Sequence, residues 1–434
     1  MGRFECHSHT HYSNIRLLDC INTPSKLIKR AQEIGLKGIA ITDHECLGAH
    51  VEIDKIQQEL LEQGSDFKVA KGDEIYLTET RESGQKYYHF ILIAKNATGH
   101  KMLREISSIA WINSYFDRGM ERVPILKSEL KAIVDKYGKG NLIASSACLG
   151  SELDYYILQM SLAEQNKDIE SKRYCYNQIC KHINYCIDLF GDDFYLEAQP
   201  AQSEEQLTVN RRLPAIAKAF NLKIIVTTDA HYLKKEDREV HKAFLNSKGG
   251  EREVDTFYQY AYLQTTEDVI QNLEGSGLDY YELEKNTHEI YDKIEYYSLH
   301  KNQQVPQVPV KEYPKTNEYN SEKYPVLHNL EQSDNLQERY WINQCRDKLQ
   351  ELNLNNETYL NRLEEEADIQ KVIGEKLDTC MFSYPIFLQH YINLFWECGS
   401  TVGAGRGSAC SGLNHYLLGI TQLDPVVWEL PYWR

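Results

Sequence analysis

The chain has 434 residues, a length that fits two to three domains with cores of their own. Lys and Arg number 48 against 64 Asp and Glu, so the net charge of −16 excludes a wholly basic nucleic-acid clamp but not a local basic groove. The 11 cysteines form no CxxC pair and no secretory signal is present, so we expect reduced thiols in a cytoplasm. No run reaches about 18 apolar residues, and no membrane span is predicted.

A histidine-rich segment follows the first predicted strand. Residues 3–7 alternate in polarity and predict a short strand, and the period of two places His7 and His9 on the same side of the backbone. Two imidazoles so close together form half of a metal site. An expression tag or a solvated terminus is the alternative, but Ser8 and Thr10 interrupt the run, unlike in a homopolymeric tag.

Helices and strands alternate beyond this segment. Thr23 as N-cap and Pro24 at the first helical position predict a helix that ends at Gly35. The further predicted strands are 38–42, 67–70, 90–93, 142–144, 194–196 and 224–226. Seven strands, nearly all separated by helices, predict an α/β fold with parallel strands in a barrel or open sheet. The loops that follow the strands of such a barrel gather at one face, where active sites form.

Side chains that bind metals stand near the ends of these strands. They are His7, His9, Asp19, His44, Glu74, His89, Cys148, Asp229 and His231. Each has an ordinary structural explanation, since His44 and Asp229 could lie at helix caps and Cys148 could be a small buried side chain.

Capping does not explain the whole set of metal donors at one rim. The donors suit zinc, with a carboxylate that bridges two ions, and nine are too many for one tetrahedral ion. We therefore predict two or three divalent ions. Such ions activate water and neutralise a phosphoryl oxygen, which indicates a phosphoester hydrolase.

These motifs resemble a known family. HSHT, TDH, GDE, YYH followed by FILIAKN, SSACLGSE and TTDAHYL look like the polymerase and histidinol phosphatase (PHP) domain. They look most like its version at the N-terminus of the alpha subunit of bacterial DNA polymerase III, the family C replicative polymerases. The resemblance implies an irregular seven-stranded (β/α) barrel with three metals.

The resemblance also assigns ligands residue by residue. It implies one ion held by His7, His9, Glu74 and Asp229, a second by Glu74, His89 and Cys148, and a third by Asp19, His44 and His231. Glu74, His9 and Asp229 would carry the catalysis. In the family, a complete site is linked with metal-dependent 3′–5′ exonuclease activity, and the alternative is hydrolysis of pyrophosphate or phosphomonoesters. The donors permit zinc, manganese or iron.

A glycine-rich loop lies near residue 406. Alternating glycines let successive N–H groups surround an anion, Arg406 adds a guanidinium, and Ser408 could cap the following helix. Alone, such a loop is usually a turn. With YLLGIT and Asp424-Pro425 after it, it resembles the polymerase palm loop that grips the triphosphate of the incoming nucleotide. The candidate nucleotide-binding residues are Gly405, Arg406, Gly407 and Ser408.

The domain prediction has three parts: a PHP domain over 1–285, an exit segment and Asn/Gln/Pro-rich linker over 286–330, and a mostly helical, truncated palm over 331–434. No paired carboxylates that could hold two Mg²⁺ ions for polymerisation follow the loop. We therefore expect the N-terminal piece of a split polymerase, of a kind that a phage could encode. A second polypeptide would carry the rest.

The expected partners are DNA, that second polypeptide and, through it, replisome components. Apolar side chains in the last helices would then be covered by the partner. These are Phe387, Leu394, Phe395, Trp428 and Trp433. Two alternatives stay open: a free-standing phosphatase or pyrophosphatase with a palm remnant, and a non-catalytic scaffold.

Overall fold

A computed structural model describes residues 2–15, 18–82, 84–117, 120–247 and 256–433. The chain divides into two compact units, Met1–His300 and Lys301–Arg434. Within the described part of the chain, no helix is long and apolar enough to cross a membrane.

The first unit alternates strands with helices. Its strands are β1 (Phe4–Glu5), β2 (Gly38–Ile41), β3 (Lys68–Thr78), β4 (Tyr88–Ala94), β5 (Tyr115–Asp117), β6 (Met120–Arg122), β7 (Pro124–Leu126), β8 (Leu142–Ser145), β9 (Phe194–Ala198) and β10 (Lys223–Val226). Its helices are α1 (Pro24–Glu33), α2 (His50–Glu62), α3 (Ala97–Ile112), α4 (Lys127–Tyr137), α5 (Glu152–Gln165), α6 (Ile169–Phe190), α7 (Glu204–Phe220), α8 (Arg238–Leu245), α9 (Thr266–Asn272) and α10 (Tyr280–Lys293).

Seven strands follow one another in the sheet in the order β1-β2-β3-β4-β8-β9-β10. The two edge strands approach each other where an isolated parallel bridge joins Ser8 to Ala230, and the His9 N–H donates to the Ala230 carbonyl at 3.0 Å. The sheet is therefore nearly closed, which confirms the predicted seven-stranded α/β barrel. The short strands β5, β6 and β7 were not predicted. β7 pairs with the far end of β3, and β5 and β6 form a separate hairpin.

Strand β4 is the exception to the predicted parallel sheet, and the prediction is wrong there. β4 runs antiparallel to both β3 and β8. The reason is that only nine residues separate β3 from β4, and those that the structure describes form no crossover helix. β3 also continues to Thr78 instead of ending before Glu74, so Glu74 lies within a strand.

One end of the barrel interior is filled with apolar side chains. Phe4, Ile93 and Tyr195 pack there against Ile290 of α10. The predicted domain boundary at residue 285 falls inside this helix. Because Asn286 Nδ2 donates to the Ile224 carbonyl at 2.7 Å, α10 belongs to the first unit. The opposite end of the interior is left to polar residues.

The second unit is helical, as predicted for the palm region. Its helices are α11 (Pro325–Gln332), α12 (Leu336–Glu351), α13 (Glu357–Leu377), α14 (Ser383–Glu397) and α15 (Leu413–Leu417). Trp341 and Phe382 meet in its core with ring centroids 4.9 Å apart. The proline-rich segment before α11 lies against α12, where Gln337 donates to the Val308 carbonyl at 2.8 Å.

Candidate metal centre

The two histidines that follow β1 lie side by side at the polar end of the barrel. The Nε2 atoms of His7 and His9 are 3.1 Å apart. Asp229, which follows β10, places Oδ1 3.2 Å from His7 Nε2 and 3.0 Å from His9 Nε2. The bridge between the two edge strands accounts for this proximity, since it holds both strand ends at one rim.

Glu74 occupies the middle of the cluster. Its Oε1 lies 2.8 Å from His89 Nδ1, and its Oε2 lies 2.6 Å from His44 Nδ1. Because β4 is antiparallel to its neighbours, His89 near its N-terminal end lies at the same rim of the barrel as the C-terminal ends of the parallel strands. Cys148 completes this side, with Sγ 3.5 Å from His89 Nδ1.

Asp19 joins the cluster from the third side. Its Oδ2 lies 3.0 Å from His44 Nε2 and 3.1 Å from His231 Nε2. The Tyr258 hydroxyl donates to Oδ1 at 2.6 Å. All nine side chains predicted as ligands thus converge. Three triads, in each of which the ligand atoms lie within 4.8 Å of one another, are His9/His44/His231, His7/His9/Asp229 and His44/Glu74/His89.

The triads overlap with the ligand sets that the family resemblance implies, without reproducing them. Asp229 pairs with His7 and His9 as expected, and Glu74 pairs with His89. His44, expected with Asp19 and His231, also contacts Glu74, so Glu74 touches both sides of the cluster.

Charge is strongly coupled within the cluster. Burial lowers the pKa of His7, but the carboxylates of Asp229, Glu197 and Glu74 outweigh burial and raise this pKa well above its ordinary value. Burial also lowers the pKa of His44, but the nearby Glu74 carboxylate outweighs burial and raises this pKa to about 10. Burial raises the pKa of the Cys148 thiol well above its usual range, and Glu74 adds to this effect. A divalent cation would replace these protons, because metal ligands must be deprotonated.

Two buried carboxylate oxygens indicate that the cluster could hold a divalent cation. Glu74 Oε2 and Asp229 Oδ1 are buried and lie close to imidazole nitrogens, yet within the described residues neither makes a hydrogen bond of acceptable geometry. The cluster therefore contains buried carboxylate oxygens that a bound cation could satisfy. Imidazole, carboxylate and thiolate are also the donors that zinc and related ions use.

Several contacts around the cluster were not predicted from the sequence. Glu197 Oε1 lies 2.7 Å from His7 Nδ1. Ser13 Oγ lies 3.1 Å from His9 Nδ1 and donates to Asp43 Oδ1 at 2.7 Å. A signal existed for Glu197, a single acidic residue in the otherwise apolar strand FYLEA.

The glycine-rich loop lies in the second unit. Gly405 and Gly407 have positive φ angles of 143° and 63°, a conformation that suits glycine. Arg406 and Ser408 are exposed. The expectation that Ser408 caps the next helix is wrong, because buried Glu366 instead accepts the Leu413 and Asn414 N–H groups at the start of α15.

Two families of known proteins match the chain, one within each of its two units. Residues 5–201 match the PHP domain, and residues 330–434 match the bacterial DNA polymerase III alpha NTPase domain. The chain is 38% identical to a probable DNA polymerase, YorL, of Bacillus subtilis, over 99% of this chain and 35% of that protein. A DNA-directed DNA polymerase of Bacillus phage SPbeta gives the same values. The chain therefore carries a PHP domain followed by a bacterial DNA polymerase III alpha NTPase domain, and it is similar along nearly its whole length to DNA polymerases.

More distant DNA polymerase III alpha subunits also match nearly the whole of this chain. The DNA polymerase III subunit alpha of Aquifex aeolicus is 29% identical over 97% of this chain and 34% of that protein. This chain spans about a third of the length of these relatives. Among solved structures, a protein assigned as a metal-dependent phosphoesterase from Bifidobacterium adolescentis aligns with a TM-score of 0.32 and 16% identity, over 64% of this chain and 97% of that one. The polymerase relatives and the PHP domain indicate an enzyme, and the cluster indicates divalent metals.

Proposed function

We propose that the PHP domain is a metal-dependent phosphoesterase that removes nucleotides from the 3′ end of DNA. One observation carries the proposal: five imidazoles, three carboxylates and a thiol converge at one mouth of the barrel. Polymerase relatives favour DNA as the substrate. Two or three divalent ions would be held by His7, His9, Asp19, His44, Glu74, His89, Cys148, Asp229 and His231. The donors suit Zn²⁺ or Mn²⁺.

Bound ions would activate a water molecule and neutralise charge on the phosphoryl oxygens. The protein's own contribution is to fix the donors. Glu74 presents one oxygen to the His89 side and the other to the His44 side, so it suits a bridging role between two ions. His9 and Asp229 define the inner wall, where both are fully buried or nearly so. His44 and His89 are partly exposed, with 11% and 25% of their side-chain surface accessible, so the substrate phosphate would approach from their side.

The second unit would bind the triphosphate of a deoxynucleotide through Gly405, Arg406, Gly407 and Ser408. The exposed Arg406 guanidinium and the positive-φ glycines support this assignment. Polymerisation itself would need Mg²⁺ and a catalytic centre, and the polymerase relatives extend well beyond the third of their length that this chain matches. We propose that the second unit binds a partner polypeptide of the polymerase.

Several exposed apolar side chains of the second unit support such a partner. Leu394 and Phe395 of α14 are 48% and 40% exposed, and Trp428 and Trp433 are 66% and 80% exposed, as expected from the sequence, whereas Phe387 is half-buried. Exposed apolar area of this kind marks interaction sites. We expect affinity purification from the source cells to recover a polymerase polypeptide, and a stable monomer without a companion would contradict the split arrangement.

The enzymatic proposal is tested with one preparation. Bound metals are quantified, and the protein is offered 3′-labelled single-stranded DNA and, separately, a chromogenic phosphomonoester. Metal-dependent release of the 3′ nucleotide, abolished in His9→Ala, is the expected result. Hydrolysis of the monoester alone would identify a phosphatase instead. A folded protein that binds no metal and hydrolyses neither substrate would indicate that the domain is a non-catalytic scaffold.

A further inference from the structure

A buried carboxylate stands directly behind the first predicted metal ligand. Glu197 lies on β9, its side chain is inaccessible to solvent, and its Oε1 is 2.7 Å from His7 Nδ1. The opposite nitrogen of the same ring, Nε2, faces the cluster, 3.2 Å from Asp229 Oδ1 and 3.5 Å from Glu74 Oε1. Glu197 therefore contacts His7 on the side away from the predicted ions.

Three further donors hold Glu197 in place. The Thr227 hydroxyl donates to Oε1 at 2.5 Å, and the Ser145 hydroxyl donates to Oε2 at 2.7 Å. Gln199 Nε2 donates to Oε1 at 3.3 Å, and the same amide lies 3.4 Å from Asp229 Oδ2. These residues come from β8, from the end of β9 and from the end of β10, so the carboxylate is fixed by the barrel wall itself.

This network determines which nitrogen of His7 is available as a ligand. A carboxylate accepts and does not donate, so in the neutral ring that would bind a metal ion Glu197 favours the tautomer with hydrogen on Nδ1 and leaves the Nε2 lone pair directed at the cluster. We propose that Glu197 is a positioning residue of the metal centre, which sets the affinity for the ion bound by His7. The inference rests on the proposed metal site and identifies a residue that controls it from outside the ligand set.

Two substitutions separate positioning from simple packing. Glu197→Leu keeps an apolar filling but removes the acceptor, so the ring of His7 can turn and its tautomer is no longer fixed. Glu197→Gln keeps one acceptor oxygen without the charge and should partly rescue binding. Asp154→Leu is the matched control, because Asp154 is also a buried acid, and its carboxylate oxygens make no hydrogen bond within the described residues.

The experiment titrates the metal-free chain of 434 residues with Zn²⁺ in competition with a chromophoric chelator. We expect Glu197→Leu to weaken the tightest site by about 10–100-fold and Glu197→Gln by about tenfold, with Asp154→Leu close to the wild type. Circular dichroism and melting in EDTA establish that each variant is folded. If Glu197→Leu does not fold, the comparison of Glu197→Gln with the wild type decides.

The outcomes distinguish this inference from the proposed function. Folded Glu197 variants that bind Zn²⁺ within about twofold of the wild type overturn the positioning role while the metal centre stands. A wild-type chain that binds no ion overturns the metal centre and the role of Glu197 together. NMR of histidine-labelled, Zn²⁺-loaded protein adds a second readout, because loss of the Nδ1–H tautomer at His7 is expected in Glu197→Leu and not in Asp154→Leu.

Discussion

Substitution of Glu74 by Gln provides the sharpest test of the proposed chemistry. The side chain is fully buried and keeps nearly the same volume after the change, so packing is preserved. The variant loses the negative charge and one of two acceptor oxygens. A carboxamide cannot bridge two cations as a carboxylate does. We expect at least one equivalent of metal to be lost and DNA hydrolysis to fall sharply.

The size of the effect follows from the contacts of Glu74. Its Oε1 makes a hydrogen bond with His89 Nδ1 at 2.8 Å, which the charge of the carboxylate strengthens. A hydrogen bond to a charged group contributes about 1.5–3 kcal/mol. At about 1.36 kcal/mol per tenfold change in rate, loss of this contact alone should slow hydrolysis by about 10–10²-fold.

The assay follows release of the 3′ nucleotide from labelled single-stranded DNA, with metal content measured on the same samples. Glu79→Gln is the control, because Glu79 follows β3 directly but is 54% exposed and pairs with Lys127 and Lys181. A Glu74→Gln protein with the full metal content and a rate within about threefold of wild type would refute a bridging role.

Three further predictions concern other parts of the chain. Burial raises the pKa of Glu152, but contacts with His182 and Lys127 outweigh it and lower this pKa to about 2. The ionised Glu152 carboxylate therefore contributes about 3 kcal/mol to the free energy of unfolding above about pH 4.5, and this contribution is lost as the pH falls towards 2. Calorimetry should show a smaller acid-induced drop in Tm for Glu152→Gln than for wild type. Glu366→Ala should destabilise the second unit by about 3–5 kcal/mol, measured by calorimetric unfolding; an unchanged melt would contradict its capping role. Arg406→Ala should weaken deoxynucleotide binding by about 10–100-fold without changing Tm, as titration of a fluorescent nucleotide would show.

Local sequence signals predicted most of the first unit. Helix α1 begins as expected because the Thr23 hydroxyl accepts the Lys26 N–H, and it is followed by Gly35 with a φ of 75°. The convergence of donors was also predictable, since strand ends in a barrel meet at one rim whatever the sequence between them. Six of the seven predicted strands were recognised as mainly apolar runs, and the first was recognised by its alternating polarity.

The features that were missed depend on contacts between distant residues. Nothing in the apolar run of β4 indicates its direction, which follows from the short connection before it. Ser408 looked like a helix cap, but the amides of α15 are satisfied by Glu366, which lies far away in sequence. Tyr258 reaches Asp19 across 239 positions of sequence, and no local pattern could indicate that pair.

The reversed strand β4 also restricts how the connection of residues 79–87 can change in length. In the β3–β4 ladder, His89 lies opposite Tyr76, and the two rings are stacked with centroids 4.8 Å apart. A shift of the ladder by one residue would turn His89 outwards and bring Tyr88 or Phe90 to the cluster. Insertions and deletions should therefore be tolerated in the tip of this hairpin only when the alignment of its two arms is kept.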